Sequence, residues 1–245
     1  MINIFNTRKA ILLIHGFAGG CYDYGELTND LESYKNFDVY TFTLPGHDKI
    51  RINKVSKDDW LKSAEIEIEK IINKGYKTIY VIGHSMGGII ATHIASKYKE
   101  VKKLVLAAPA FKYFSFNKNK LSIIQSIKKV PRLFKDYSID IVLSRVIKVP
   151  ITTIKEFILL ANTHINDIKN IEIPTLILHG IKDEIVGIDS INHVYDNIPS
   201  KSVTLIELNN LNHDLFINDR YEEIKKIIID FLTNYNLSIK EKKQI

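Results

Sequence analysis

Tyr80-Val81-Ile82-Gly83-His84-Ser85-Met86-Gly87-Gly88-Ile89-Ile90 is the stretch on which the reading turns. An apolar, partly β-branched run leads in, Gly-x-Ser-x-Gly follows, and an apolar run leads out. The lead-in has the composition of a buried strand and the lead-out that of a buried helix. Between them the chain must reverse tightly. A serine that attacks a carbonyl has to project from such a turn, and the residues two positions to either side must be small, as Gly83 and Gly87 are. The helix that follows aims its N-terminal dipole at any negative charge developing beside Ser85.

Working outward, the same strand–loop–helix rhythm recurs. Short apolar runs at residues 10–14, 37–42, 78–82, 103–107, 175–178 and 203–207 read as buried parallel strands. Residues 58–73 carry Leu61, Ala64, Ile68, Ile71 and Ile72 on one helical face, with Ser56 and Asp59 spaced as a capping pair. Residues 221–231 repeat the pattern with Ile224, Ile227, Ile228 and Phe231. Strands alternating with helices predict an α/β domain, a doubly wound, mostly parallel sheet of about six strands flanked by helices. The N-terminal segment leaves room for at most one short edge strand, at residues 2–5. Between Ala107 and Ile173 no strand is legible, and residues 121–134 and 152–162 read as helices. An excursion of this length is expected to be a helical cap inserted after the fourth buried strand. The expected division is a core of 1–109 and 171–245 with a cap of 110–170.

At 245 residues, 45% hydrophobic and 25% charged, the chain has the composition of a globular domain and not of a disordered one. A single cysteine, Cys21, excludes an internal disulfide and a cysteine-based metal site; it reads as a small residue packed near a loop. No apolar run is long enough for a membrane span or a signal peptide, and a cytoplasmic location is expected. The net charge is +6. Residues 110–170 hold 11 lysines and arginines against 4 aspartates and glutamates, so that stretch more than accounts for the whole surplus. No nucleic-acid-binding signature accompanies it, and nucleic acid is not expected as a partner.

Gly83-His84-Ser85-Met86-Gly87-Gly88 resembles the nucleophile elbow of the α/β-hydrolase superfamily, and the resemblance extends over nearly the whole chain. It is similar above all to small bacterial carboxylesterases and monoacylglycerol-lipase-like serine hydrolases. That family orders its triad as serine, acid, histidine, which implies Ser85 as nucleophile. Pro174-Thr175-Leu176-Ile177-Leu178-His179-Gly180 and the following Ile181-Lys182-Asp183-Glu184-Ile185-Val186 resemble its acid loop, with Asp183 in the acid position and Glu184 and Asp189 as rivals. Of the histidines only His193 and His213 follow Asp183; His193 lies in an expected helix, and His213 follows the last expected buried strand. His15-Gly16-Phe17-Ala18-Gly19-Gly20 resembles the oxyanion loop. The resemblance thus implies oxyanion donors at the backbone N–H groups of Phe17 and Met86, and substrate contacts at Gly16, Phe17 and His84. His15 and His84 read as packing and hydrogen-bonding groups flanking the site. One departure stands out: Leu44-Pro45-Gly46-His47-Asp48 has Asp48 where the family often has a second glycine.

The implied chemistry is two-step acyl transfer through Ser85, with His213 as base and Asp183 orienting it. It calls for no metal and no organic cofactor. The implied substrate is a small acyl ester, lipid-like if the cap is a hydrophobic lid with a basic exterior. Thioester hydrolysis and C–C bond hydrolysis use the same residues, and a catalytically silent ligand-binding relative is a further alternative. The oligomeric state is not encoded in any motif here.

Overall fold

The computed structural model describes residues 8–47, 53–112, 149–234 and 239–245. Among them run β1 (Lys9–Ile14), α1 (Leu27–Glu32), β2 (Phe37–Thr41), α2 (Lys57–Asn73), β3 (Ile79–His84), α3 (Met86–Lys97) and β4 (Val101–Ala107). After these come α4 (Ile151–His164), β5 (Thr175–Gly180), α5 (Ile188–Asn197), β6 (Val203–Leu208), α6 (Tyr221–Thr233) and β7 (Lys240–Gln244). The strands form one sheet in the order β2-β1-β3-β4-β5-β6-β7. Every neighbouring pair is parallel. This is the α/β-hydrolase fold.

Alternation along the strands builds two cores. Ala10, Leu12 and Ile14 of β1 face one layer, with Trp60, Ala64 and Ile68 of α2, Ile90 and Ile94 of α3, and Ile191 of α5. Ile11 and Leu13 face the other, with Leu27 and Leu31 of α1 and Ile224, Ile228 and Leu232 of α6. Each fully buried Ile or Leu contributes about 1.5–3 kcal/mol, so both faces of the sheet must be covered for the strands to be stable. That is why the sequence reads as continuous apolar runs. Helix α2 begins where the Ser56–Asp59 pair predicts: the Ser56 hydroxyl accepts from the Asp59 N–H at 3.2 Å, and the Ser56 N–H donates to the Asp59 carboxylate at 3.0 Å.

One difference from the sequence reading concerns the sheet. There are seven strands among the described residues, against an expectation of about six, and the additional one is β7. Its sequence, Lys240-Glu241-Lys242-Lys243-Gln244, has no apolar side chain and lies mostly exposed. Ladder bonds to β6 and the Lys242–Glu207 ion pair at 2.9 Å hold it, so hydrophobic patterning carried no signal for it. The edge strand expected at residues 2–5 lies outside the described residues. So do the helix expected at 121–134 and position Asp48. The helix expected at 152–162 is observed as α4.

Chain direction across the sheet reverses between β1 and β3. In open α/β sheets the carboxyl edge at this switch point is where a crevice forms. The loops that follow β1, β3, β5 and β6 leave that edge, and they carry the residues around Phe17, Ser85, Asp183 and His213.

Candidate active site

Ser85 is the single residue between β3 and α3. Its backbone has φ 54° and ψ −118°, a left-handed conformation that a residue with a Cβ adopts only under constraint. The constraint is visible: the Ser85 N–H donates to Ala107 at 2.9 Å, and its carbonyl accepts from Gly88 at 2.9 Å and Ala110 at 3.3 Å. The turn is too crowded for side chains at the flanking glycines. A Cβ at Gly83 would lie 2.6 Å from that of Ala91, and a Cβ at Gly87 would overlap the Ile14 carbonyl oxygen and lie 2.6 Å from that of His15. The two glycines therefore let α3 pack directly on the ends of β3 and β1.

The loop after β1 lies against this elbow. A Cβ built on Gly16 would stand 3.2 Å from the Ser85 Cβ. The loop is fixed from two sides. His47 accepts the Ala18 N–H on Nε2 at 3.1 Å and is 2% exposed. Its Nδ1 donates to Pro45 at 3.1 Å. On the other side the Asp23 carboxylate accepts from Gly16 at 3.3 Å and from Gly20 at 3.1 Å. Among the described residues the N–H groups of Phe17 and Met86 donate to no protein acceptor. Burial pushes the Asp23 carboxyl up to about 7, against the pull of the Gly20 and Gly16 N–H groups. Neither His47 nor Asp23 was singled out in the sequence. His47 sits in the Pro-Gly turn, and Asp23 lies three residues after Gly20, the N-cap of a 3₁₀ turn, Cys21–Tyr24.

His213 and Asp183 meet at the ends of β6 and β5. His213 Nδ1 lies 2.8 Å from Asp183 Oδ2, and the Asp183 side chain is fully buried. The other carboxylate oxygen accepts from the N–H groups of Ile185 and Val186, both at 2.8 Å. These bonds fix the carboxylate plane and leave the imidazole Nδ1 as donor, so Nε2 is the free acceptor. Burial works to raise the Asp183 pKa, but the charge and hydrogen bond of His213 and the two backbone donors outweigh it and hold the carboxyl below its ordinary value. Burial likewise works to lower His213, and Asp183 outweighs it, so the imidazole is raised. The rival carboxylates, Glu184 and Asp189, are exposed. His193 lies on α5, where Asn197 donates to its carbonyl at 2.8 Å.

His84 sits beneath His213. Its ring is 4.8 Å from the His213 ring, and its Nε2 donates to the His213 carbonyl at 3.1 Å. Burial first, and then the neighbouring His213, push its pKa down to about 3, so it is a neutral prop. Its observed contacts are with His213 and Phe216. His15 is also structural: its Nε2 accepts the Leu44 N–H at 2.9 Å and its Nδ1 donates to Gly16 at 2.9 Å. Ser85 is 7% exposed and His213 9% exposed. Among the described residues no hydrogen bond joins their side chains. Such bonds are often long before substrate binds and tighten in the reacting complex.

The Phe17 ring stacks on Phe157 of α4 with centroids 5.0 Å apart, and meets Trp60 and His47 edge-on at 6.0 Å. Beside the elbow this makes an apolar aromatic wall to which α4, from the expected cap region, contributes one face.

Residues 6–220 match the family model described as "Serine aminopeptidase, S33". Among curated relatives, a putative esterase/lipase of Mycoplasma pneumoniae is 31% identical over 124 residues, 50% of this chain and 43% of the relative. The match thus spans less than half the length of that relative. A carboxylesterase of Bacillus subtilis is 22% identical over 91% of this chain and 92% of its own length. A solved monoacylglycerol lipase of Paleococcus ferrophilus superposes with a TM-score of 0.68 at 20% identity, covering 91% of this chain and 93% of that one. Among the described residues no helix is long and apolar enough to cross a membrane. A family match over most of the length, with a parallel sheet in this strand order and a strained serine at the β3–α3 turn, means that the chain belongs to the serine aminopeptidase S33 family of the α/β-hydrolase superfamily.

Proposed function

We propose that the chain is a serine-dependent carboxylic ester hydrolase of carboxylesterase or monoacylglycerol-lipase type. The observation that carries this reading is the pairing of a strained serine after β3 with a buried histidine–carboxylate couple on the same sheet edge. The names of the curated relatives point the same way. Ser85 attacks the acyl carbonyl as His213 Nε2 takes its proton. Asp183 keeps the imidazole in the required tautomer and stabilises the imidazolium. The N–H groups of Phe17 and Met86 receive the oxyanion. His213 returns its proton to the leaving alcohol, and water repeats the sequence to release the acid. Gly16 gives the substrate backbone-close access, the partly buried Phe17 ring, backed by Phe157 and the buried Trp60, walls the acyl chain, and His84 supports the His213 loop from below. Residues 110–170 act as the cap over a core of 1–109 and 171–245. The substrate is a small, lipid-like acyl ester met in the cytoplasm.

The test is a panel of p-nitrophenyl esters of rising acyl length beside acyl thioesters and aminoacyl p-nitroanilides, with a fluorophosphonate probe. Ester turnover and stoichiometric labelling that vanish together in Ser85→Ala are expected, with turnover falling on the order of 10⁶-fold. Preferential anilide cleavage would replace the esterase reading with a peptidase one. An unlabelled parent would replace it with a silent binding protein.

A further inference from the structure

Two turns along α3 from the elbow, about 12 Å along the helix axis, four elements bring titratable side chains together outside the site just described. His93 of α3, His164 at the end of α4 and Asp167, which opens the 3₁₀ turn Asp167–Asn170, offer ligand atoms that all lie within 4.8 Å of one another. Asp167 Oδ2 stands 3.0 Å from His93 Nδ1 and 2.8 Å from His164 Nδ1. The two rings meet edge-on with centroids 4.8 Å apart. The far nitrogen of His93, Nε2, lies 3.1 Å from Glu65 Oε1 of α2, and Lys97 Nζ lies 2.6 Å from that same oxygen. All three potential ligands are partly buried, with side-chain exposures of 18%, 13% and 23%.

The arrangement has the parts of a metal centre in the right relation. Two imidazole nitrogens and a carboxylate oxygen converge, a donor set suited to Zn²⁺ and its neighbours and unsuited to Mg²⁺ or Ca²⁺, which take all-oxygen shells. Zinc holds nitrogen and oxygen at about 2.0–2.1 Å, which places tetrahedral ligands about 3.3 Å apart. The two spacings to Asp167, 3.0 and 2.8 Å, are a few tenths shorter, as expected for groups bridged by protons, and all three ligand atoms lie within 4.8 Å of one another. Glu65 supplies the feature that polar clusters on helix surfaces usually lack. It binds the outward nitrogen of His93, the carboxylate–histidine–metal arrangement that fixes a ligand's tautomer and orientation. On binding, His93 loses its Nδ1 proton to solvent and keeps Nε2–H on Glu65, while His164 carries its proton on Nε2.

We propose that His93, His164 and Asp167 bind a divalent cation of the Zn²⁺ class, oriented by Glu65, which clips the end of α4 and the turn after it to α3. The role is structural, since Ser85 chemistry needs no metal. Its reach is functional, because α4 also carries Phe157, which stacks on Phe17.

The experiment is calorimetric titration of chelator-stripped protein with ZnCl₂, beside thermal melts with Zn²⁺ or Mg²⁺. One saturable site per chain and a rise in Tm with Zn²⁺ but not Mg²⁺ are expected. His164→Ala and Asp167→Ala should each lose at least 100-fold in affinity, and Glu65→Gln about 10–100-fold. Fluorophosphonate labelling of each variant checks that it folds; should His164→Ala fail that check, Asp167→Ala and Glu65→Gln decide. No saturable heat with the parent, the same response to Mg²⁺, or unchanged Zn²⁺ affinity in the folded variants would overturn the proposal and leave a proton-bridged polar cluster.

Discussion

Substitution of Gly87 by alanine sets two physical effects against each other, and the structure decides the sign. Gly87 is the second residue of α3, and in a helix Gly→Ala is worth about 1 kcal/mol in favour of alanine. A reading from helix propensity alone therefore forecasts a more stable protein. The position, however, faces the end of β1. The added Cβ would overlap the carbonyl oxygen of Ile14 and stand 2.6 Å from that of His15. Carbon–oxygen contacts relax only at about 3.3 Å, so the end of β1 would have to retreat by about 0.7 Å to relieve the His15 oxygen and by more to relieve that of Ile14. Both atoms are backbone and cannot swing aside. Overpacking of this kind costs about 1–3 kcal/mol. The Ile14 carbonyl also accepts the buried Tyr24 hydroxyl at 2.7 Å, a bond worth about 1 kcal/mol. The net is a loss of about 1–3 kcal/mol, or about 2–12 °C in Tm for a chain of this size. Because Gly16 and Phe17 continue directly from the displaced segment, ester turnover should also fall about 10²-fold. Urea melts and p-nitrophenyl ester kinetics on the purified variant measure both. Gly187→Ser is the control: a Cβ there meets nothing within 4 Å, and the residue caps α5, so stability should hold or rise by a few tenths of a kcal/mol. A Gly87→Ala protein at least as stable as the parent, with unchanged turnover, would refute the claim that the elbow is sterically closed.

Asp183→Asn should cut turnover about 10⁴-fold, since an amide cannot hold the His213 tautomer, while Glu184→Gln should leave it within twofold; the reverse result in steady-state kinetics would move the acid role to Glu184. Activity should fall on acidification as His213 protonates, and because Asp183 raises His213 the acid limb should lie above the ordinary histidine value of about 6.5. A kcat/KM profile flat to pH 4 with the fold intact would exclude a histidine base. Asp23 behaves in the opposite sense to a salt-bridged carboxylate: its folded pKa of about 7 lies above the unfolded value of about 3.9, so its ionisation costs the fold stability as pH rises between the two. Asp23→Asn should remove that slope, so that the stability of the variant relative to the parent is greater at pH 8 than at pH 5 in urea melts. A difference that is the same at both pH values would mean that Asp23 ionises freely.

The sequence carried most of the sheet because β1, β3, β5 and β6 are buried along nearly their whole length and β4 along most of it, so their runs are mainly apolar. It carried α2 because its cap is local, Ser56 to Asp59. Strand β7 left no trace, since a charged edge strand is held by backbone pairing and by partners 35 and more residues away. Ser85, Asp183 and His213 were legible as candidates because the stretches that hold them resemble known motifs, and the structure joins two of them through the 2.8 Å His213–Asp183 contact. Asp23, His47 and the His93–His164–Asp167 cluster were not. His47 and the cluster depend on contacts between separate elements, the turn after β2 with the loop after β1 and α3 with the turn after α4, which no local periodicity encodes; Asp23 bonds Gly16 and Gly20 within its own loop, where no apolar pattern marks it.

The strand order also has a consequence for how the chain is made. From β3 onward the sheet is extended at one side only, in the order β3, β4, β5, β6, β7, which is the order of synthesis. Each new strand can dock on a template already outside the ribosome, and no later strand has to insert between two earlier ones. The cost of this scheme is a temporary open rim: until β7 emerges, β6 presents unpaired N–H and C=O groups and the apolar side chains of Val203, Leu205 and Leu208 near a free edge, the geometry that invites pairing with a neighbouring nascent chain. Lys240-Glu241-Lys242-Lys243-Gln244 then covers that rim with a charged, mostly exposed strand, its Lys242 and Lys243 paired with Glu207 and Glu241 at 2.9 and 2.7 Å, in place of an apolar one.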